Sequence, residues 1–182
     1  MSSDWRVRVL FDEATIARRN DEIAKEIAAW QPQDLLVVAI LKGSFMFAAD
    51  LIRAMHRAGM APQVEFMHLS SYRAATVSSG QVAILRDVDS GVADRDVLLV
   101  DDILESGRTI AFAKDLLAAR GARVRSCCLL EKPGKRAVNI KADYVGFECP
   151  DYFVVGYGMD VAHSYRQLPF IGVVEKDETA PD

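Results

Sequence analysis

Membrane-spanning length, cysteine frameworks, histidine clusters and a basic surplus are all missing from this chain, and each absence excludes a class of protein. The longest strongly apolar run, Leu35 to Leu41, stops at Lys42, far short of the roughly 20 residues that a membrane helix needs. The N-terminus mixes charges and carries no signal-type apolar stretch, so a soluble cytoplasmic protein with no membrane partner is the expectation. Of the three cysteines, Cys127 and Cys128 are adjacent within an apolar segment and Cys149 stands apart. Without CxxC spacing, neither a structural zinc site nor a disulfide framework is expected, and all three read as small buried hydrophobes. His56, His68 and His163 show no spacing suited to a metal or a catalytic triad and are assigned no role. With 22 Lys and Arg against 26 Asp and Glu, the net charge is −4, and a nucleic-acid groove normally shows the opposite sign. Gly156-x-Gly158 lacks the third glycine of a dinucleotide fingerprint and reads as turn chemistry.

What is present fits one domain over residues 1–182. A chain of 182 residues that is 51% hydrophobic can bury a sizeable core. Ile16, Ile23, Ile27 and Trp30 recur at helical spacing until Pro32. Strand-like runs then alternate with helical patterns. Leu35 to Leu41 precedes a helix through Phe47, Leu51 and Met55, and strands follow at Val64 to Leu69 and Gln81 to Leu85. After the central strand and helix at 97–120, closed by Gly121, come Val124 to Leu130, Tyr144 to Phe147 and Phe153 to Val155. This alternation predicts an α/β fold with a mainly parallel sheet and helices on both faces. Residues 70–80 lack an apolar face and read as a lid; the acidic tail at 175–182 reads as frayed.

The densest signal is Val97-Leu98-Leu99-Val100-Asp101-Asp102-Ile103-Leu104-Glu105-Ser106-Gly107-Arg108-Thr109, an apolar strand that runs into acids and then small residues opening a helix. At a helix start the first amides lack intrahelical partners and the dipole favours anions, so Ser106, Gly107 and Thr109 suit a phosphate. Asp101 and Asp102 are hard oxygen ligands of the kind Mg²⁺ shares with substrate oxygens. On an ideal strand neighbouring side chains point to opposite faces, so both would serve one ligand only from a turn. Taken alone, such a segment also fits a strand end and a plain helix cap. Lys42-Gly43-Ser44 repeats the strand, glycine, helix logic, and a solvated lysine at a helix start fits it equally well. Lys132, Lys135, Arg136 and Lys141 surround Pro133 and Gly134 in what reads as a solvated loop.

The strand, two acids, Glu105, Ser106, Gly107, x, Thr109 string resembles the phosphoribosyl diphosphate (PRPP) motif of type I phosphoribosyltransferases. Leu41-Lys42-Gly43 and the segment Asp143 to Asp160 are similar to the pyrophosphate loop and base-binding segment of the hypoxanthine-guanine phosphoribosyltransferases. The similarity runs in order from Leu35 to Glu175. It implies the type I phosphoribosyltransferase fold, with a small hood for the base. It also implies transfer of 5-phosphoribosyl from PRPP to N9 of hypoxanthine or guanine with Mg²⁺, in a homodimer or homotetramer, and a non-proline cis peptide at the Leu41-Lys42-Gly43 loop. By the same resemblance, Asp101, Asp102, Glu105, Ser106, Gly107, Arg108 and Thr109 bind PRPP. Lys42, Gly43 and Arg166 meet pyrophosphate, Ser71 and Tyr72 lie on the closing loop, and Lys132, Phe153, Val154 and Asp160 frame the purine. Asp101, Asp102 and Asp160 would serve metal.

Lys132 has donors only, which suits a 6-oxo group over the 6-amino group of adenine. Phe153 is a flat face for a purine or, on local grounds alone, a core aromatic. The family usually has aspartate where Glu105 stands, as its acid or base, so that role is carried to Glu105 with an added methylene. A xanthine-preferring transferase and a nucleotide-binding regulator of the same fold are the alternatives.

Overall fold

The computed structural model describes residues 5–71 and 82–176. The central sheet is built from β2 (Leu36–Leu41), β3 (Gln63–Ser71), β4 (Val82–Arg86), β5 (Asp96–Leu104), β6 (Arg123–Glu131) and β7 (Tyr144–Glu148) in the order β4-β3-β2-β5-β6-β7. All neighbours are parallel except the antiparallel β3–β4 edge. Helices α1 (Glu13–Ala29), α2 (Phe45–Arg57) and α3 (Arg108–Ala119) cover it.

The period of two along the inner strands explains the layering. Val37 and Ala39 of β2, Leu98 and Val100 of β5, and Cys127 and Leu129 of β6 pack with Ile23, Ile27, Phe47 and Leu51 of α1 and α2. The intervening Leu36, Val38, Val97, Leu99 and Cys128 pack with Ile110, Ala113 and Leu117 of α3. Each fully buried side chain of this size contributes roughly 1.5–3 kcal/mol, and strands buried on both faces read as continuous apolar runs. Cys127 and Cys128 thus enter opposite core layers, and burial pushes both thiols up.

A second, three-stranded antiparallel sheet of order β1-β9-β8 joins β1 (Trp5–Phe11), β8 (Val154–Val155) and β9 (Ile171–Lys176). Neither β1 nor β9 was expected from the sequence. Residues 175 and 176, placed in the frayed tail, instead end β9, with Glu175 opposite Arg6 and Trp5 opposite Lys176. Arg8 donates to Glu175 at 2.7 Å. The stacked rings of Phe11 and Phe147, 4.2 Å apart, join this sheet to the central one. Among the described residues no helix is long and apolar enough to cross a membrane.

Candidate active site

A cleft of about 900 Å³ opens at the carboxyl ends of β2, β3 and β5, between the central sheet and the small one. This is where open parallel sheets hold ligands. Its walls bring together Lys42, Gly43, Asp102, Glu105, Lys132, Phe153, Val154, Asp160 and Arg166 from segments far apart in sequence.

The floor is the β2–α2 turn. Leu41–Lys42 is a cis peptide, as the resemblance implied, and Lys42 is exposed. Gly43 is required here by contact. A Cβ on it would lie 1.6 Å from Oδ2 and 2.6 Å from Cγ of Asp102. The Asp102 carboxylate therefore rests against bare backbone.

The two adjacent acids depart from expectation. β5 runs through them to Leu104, so no turn brings both to one ligand. Asp102 lines the cleft, whereas Asp101 is buried and outside its lining. Asp101 Oδ1 accepts from the Asp102 amide at 3.0 Å, and Asp102 Oδ1 accepts from the Ile103 amide at 2.7 Å. Burial raises the pKa of both, and the Asp102 charge raises Asp101 further. An acid whose folded pKa is raised supports folding fully below its ordinary value of 3.8 and loses that support as pH climbs through the raised value. Asp101→Asn is thus expected to increase the Tm of metal-free protein at pH 8, on the order of 3 °C. The gain should shrink toward zero as pH approaches 3.8 in thermal melts across pH.

Beyond β5 the chain makes the predicted turn. Gly107, with φ +82°, precedes α3, and its face is so close to Ile140 and the Val138 carbonyl that a Cβ would lie 2.7 Å from the Ile140 side chain. Ser106 Oγ accepts weakly from the Arg108 amide at 3.4 Å, while the Ser106 carbonyl accepts from Ala137 and Val138 at 2.9 and 3.1 Å. Ser106 to Thr109 lie just past the end of the cleft lining, and Arg108 is exposed. Arg136, read from sequence as part of a solvated loop, is half-buried. It donates to the carbonyls of Leu104 and Glu105, each at 2.6 Å, and pairs with Glu131. A lone arginine beside Pro-Gly-Lys carries no sequence signal for that job.

Across the cleft, Lys132 is buried to 7% exposure and donates to the Tyr152 carbonyl at 2.7 Å. Its Nζ also lies 3.7 Å from Glu105 Oε1, and Lys135 Nζ is equally far. Phe153 is 57% exposed, so it is a face of the cleft and no core aromatic. Val154 is buried. Asp160 is engaged on both oxygens, by Arg166 at 2.7 Å and by the His163 amide at 2.8 Å. Arg166 also donates to the Gly158 carbonyl at 2.6 Å. His68 and His163, given no role from sequence, line the cleft with Lys135 and Met159. Tyr72 and the Ser71 side chain lie outside the described residues, as does most of the 70–80 segment.

Among the described residues no three His, Cys, Asp or Glu side chains gather as a metal cage. The donor set fits Mg²⁺ in another way. Asp102 offers a carboxylate at the cleft wall with Asp101 behind it, a hard oxygen donor of the kind that Mg²⁺ would share with substrate oxygens.

A parallel sheet carrying an acid-rich strand end, a glycine turn and a hooded cleft defines a phosphoribosyltransferase, and the family model for the phosphoribosyl transferase domain matches residues 9–162. The hypoxanthine-guanine phosphoribosyltransferase of Bacillus subtilis (strain 168) is 42% identical over 170 residues, covering 92% of this chain and 93% of that protein. The hypoxanthine phosphoribosyltransferase of Escherichia coli (strain K12) is 40% identical over 172 residues, with 92% and 95% covered. A solved hypoxanthine phosphoribosyltransferase from Staphylococcus aureus superposes with a TM-score of 0.87 at 38% identity, over 96% of this chain and 94% of that one. The chain belongs to the phosphoribosyltransferase family, among the hypoxanthine-guanine phosphoribosyltransferases.

Proposed function

We propose that this chain is a purine salvage enzyme that transfers the 5-phosphoribosyl group of PRPP to N9 of hypoxanthine or guanine, releasing pyrophosphate and forming IMP or GMP. The observation that carries the reading is the meeting, in one cleft, of a buried lysine beside an exposed aromatic face with a carboxylate resting on a glycine turn. The test is direct. Incubated with PRPP and Mg²⁺, hypoxanthine and guanine should release pyrophosphate, and adenine, uracil and orotate should not; xanthine turnover well above both would select the xanthine-preferring alternative.

In this reading the C1–diphosphate bond weakens to an oxocarbenium-like state before N9 closes on C1, so the protein mainly holds partners in line and stabilises departing charge. The amides, Ser106 and Thr109 hydroxyls at the α3 start hold the 5-phosphate. Asp102, backed by Asp101, orients the ribose hydroxyls. Lys42, the Gly43 backbone and Arg166 receive the diphosphate. Phe153 stacks on the base, Lys132 donates to its 6-oxo group, and Glu105 handles the proton at N7. Asp102, with Asp101 behind it, and Asp160 would hold Mg²⁺, which would supply neutralisation of the leaving diphosphate charge. The same reading includes a cytoplasmic location and self-association as a dimer or tetramer.

Removing one charged hydrogen-bond partner costs about 1.5–3 kcal/mol. Lys132→Ala is therefore expected to raise the KM for hypoxanthine roughly 10- to 100-fold while leaving the KM for PRPP within about threefold. Steady-state kinetics with each substrate varied will show an unchanged purine KM if the assignment is wrong.

A further inference from the structure

Behind the cleft, three polar side chains meet where apolar packing would have been simpler. Tyr157 is 6% exposed and Asn20 2% exposed. The Tyr157 hydroxyl accepts from Asn20 Nδ2 at 3.0 Å and donates to Asp50 Oδ2 at 2.7 Å. Burial, then the Asp50 contact, pushes the phenol up, so it stays protonated and remains a donor. Asn20 Oδ1 has no hydrogen-bond partner among the described residues. Asp50 is half-exposed and its other oxygen pairs with Arg53 at 2.9 Å, so the network is buried only at Tyr157 and Asn20. A partly satisfied network adds little stability, and its value lies in fixing a position.

The position fixed is that of one turn. Gly156, Tyr157 and Gly158 have φ of +92°, +48° and +98°, three consecutive residues in left-handed backbone. A Cβ on Gly158 would lie 2.3 Å from the Gly43 carbonyl, so the turn rests directly on the pyrophosphate loop. The Gly158 carbonyl accepts from Arg166, and the Gly158 amide donates to the Arg166 carbonyl at 3.0 Å. Asp50 lies on α2, the helix that the Lys42-Gly43-Ser44 turn opens, and Asn20 lies on α1. The hydroxyl therefore ties both helices to the turn that backs Gly43 and seats Arg166.

We propose that Tyr157 is a positioning residue for pyrophosphate: its hydroxyl, held by Asn20 and Asp50, sets the distance between the Gly43 loop and Arg166 without touching substrate. Lys132 follows β6 and Phe153 lies just before β8; the Tyr157 hydroxyl bonds neither, its partners being Asn20 and Asp50. The inference rests on the transferase reading and deepens it.

Tyr157→Phe removes only the oxygen. The expected result is a rise of about tenfold in the KM for PRPP, with hypoxanthine KM within about twofold. Pyrophosphate affinity, measured by calorimetry in the presence of Mg²⁺, should fall by a similar factor. Asp50→Ala should reproduce the split, while Asp50→Asn, which keeps an acceptor for the hydroxyl, should restore PRPP KM to within about twofold of wild type. If Tyr157→Phe fails to fold, the two Asp50 variants decide. A lower Tm with unchanged PRPP KM and pyrophosphate affinity, or parallel rises in both substrate KM values, overturns the proposal. A wild-type protein inactive with every base would overturn the transferase reading instead.

Discussion

Gly43→Ala is expected to lower kcat/KM for PRPP on the order of 10²-fold while leaving Tm nearly unchanged. The added methyl would occupy the space of Asp102 Oδ2. Asp102 cannot simply swing aside, because its other oxygen is held by the Ile103 amide at 2.7 Å and the buried Asp101 lies next to it. Something must shift by an ångström or more at the floor of the cleft, where the proposed function puts ribose and diphosphate, and misplacement of that size costs about 10² in rate. The backbone of Gly43 is not in a left-handed conformation, so the loss should come from the collision alone. A double-mutant cycle checks this. In an Asp102→Ala background the same glycine substitution should cost little further, whereas full additivity would place the damage elsewhere.

Glu105→Gln should reduce kcat by a factor on the order of 10², the usual scale for a lost general acid or base. Glutamine keeps the length but loses the charge that faces the Lys132 and Lys135 ammonium groups, each 3.7 Å from the present carboxylate. It also loses the ability to exchange a proton. Glu105→Asp should retain activity within about tenfold of wild type, since the shorter acid keeps the carboxylate. Full activity in Glu105→Gln would reduce Glu105 to a residue that merely opens the phosphate turn.

The inner sheet was legible in the residues because its strands are buried on both faces. Leu36 to Leu41 and Val97 to Val100 can be little else than interior strands, and the glycines after them mark where helices begin. The outer sheet was not. β1 has the weak alternation of Trp5, Val7 and Val9 against Arg6 and Arg8, with much of its surface exposed, and it pairs with a strand about 165 residues further on. Local pattern carries no trace of such a partner, so Glu175 read as tail. The reach of β5 was underestimated for a related reason. Aspartates are poor strand residues, and their place in the ladder is set by pairing of Asp101 with Cys128.

By itself the order of residues determined the chemistry on offer: a strand ending in acids, a glycine turn at a helix start, a lysine and an aromatic at the other end, and too little basic charge for nucleic acid. These follow from side-chain type and short-range spacing, which do not need the fold. Only the tertiary structure decided that Asp102 and not Asp101 faces the cleft, that Arg136 anchors the turn before α3, and that Tyr157 stands behind Gly43. Strand pleat, burial and the pairing of distant segments settle those matters, and each depends on contacts between residues that the chain keeps far apart.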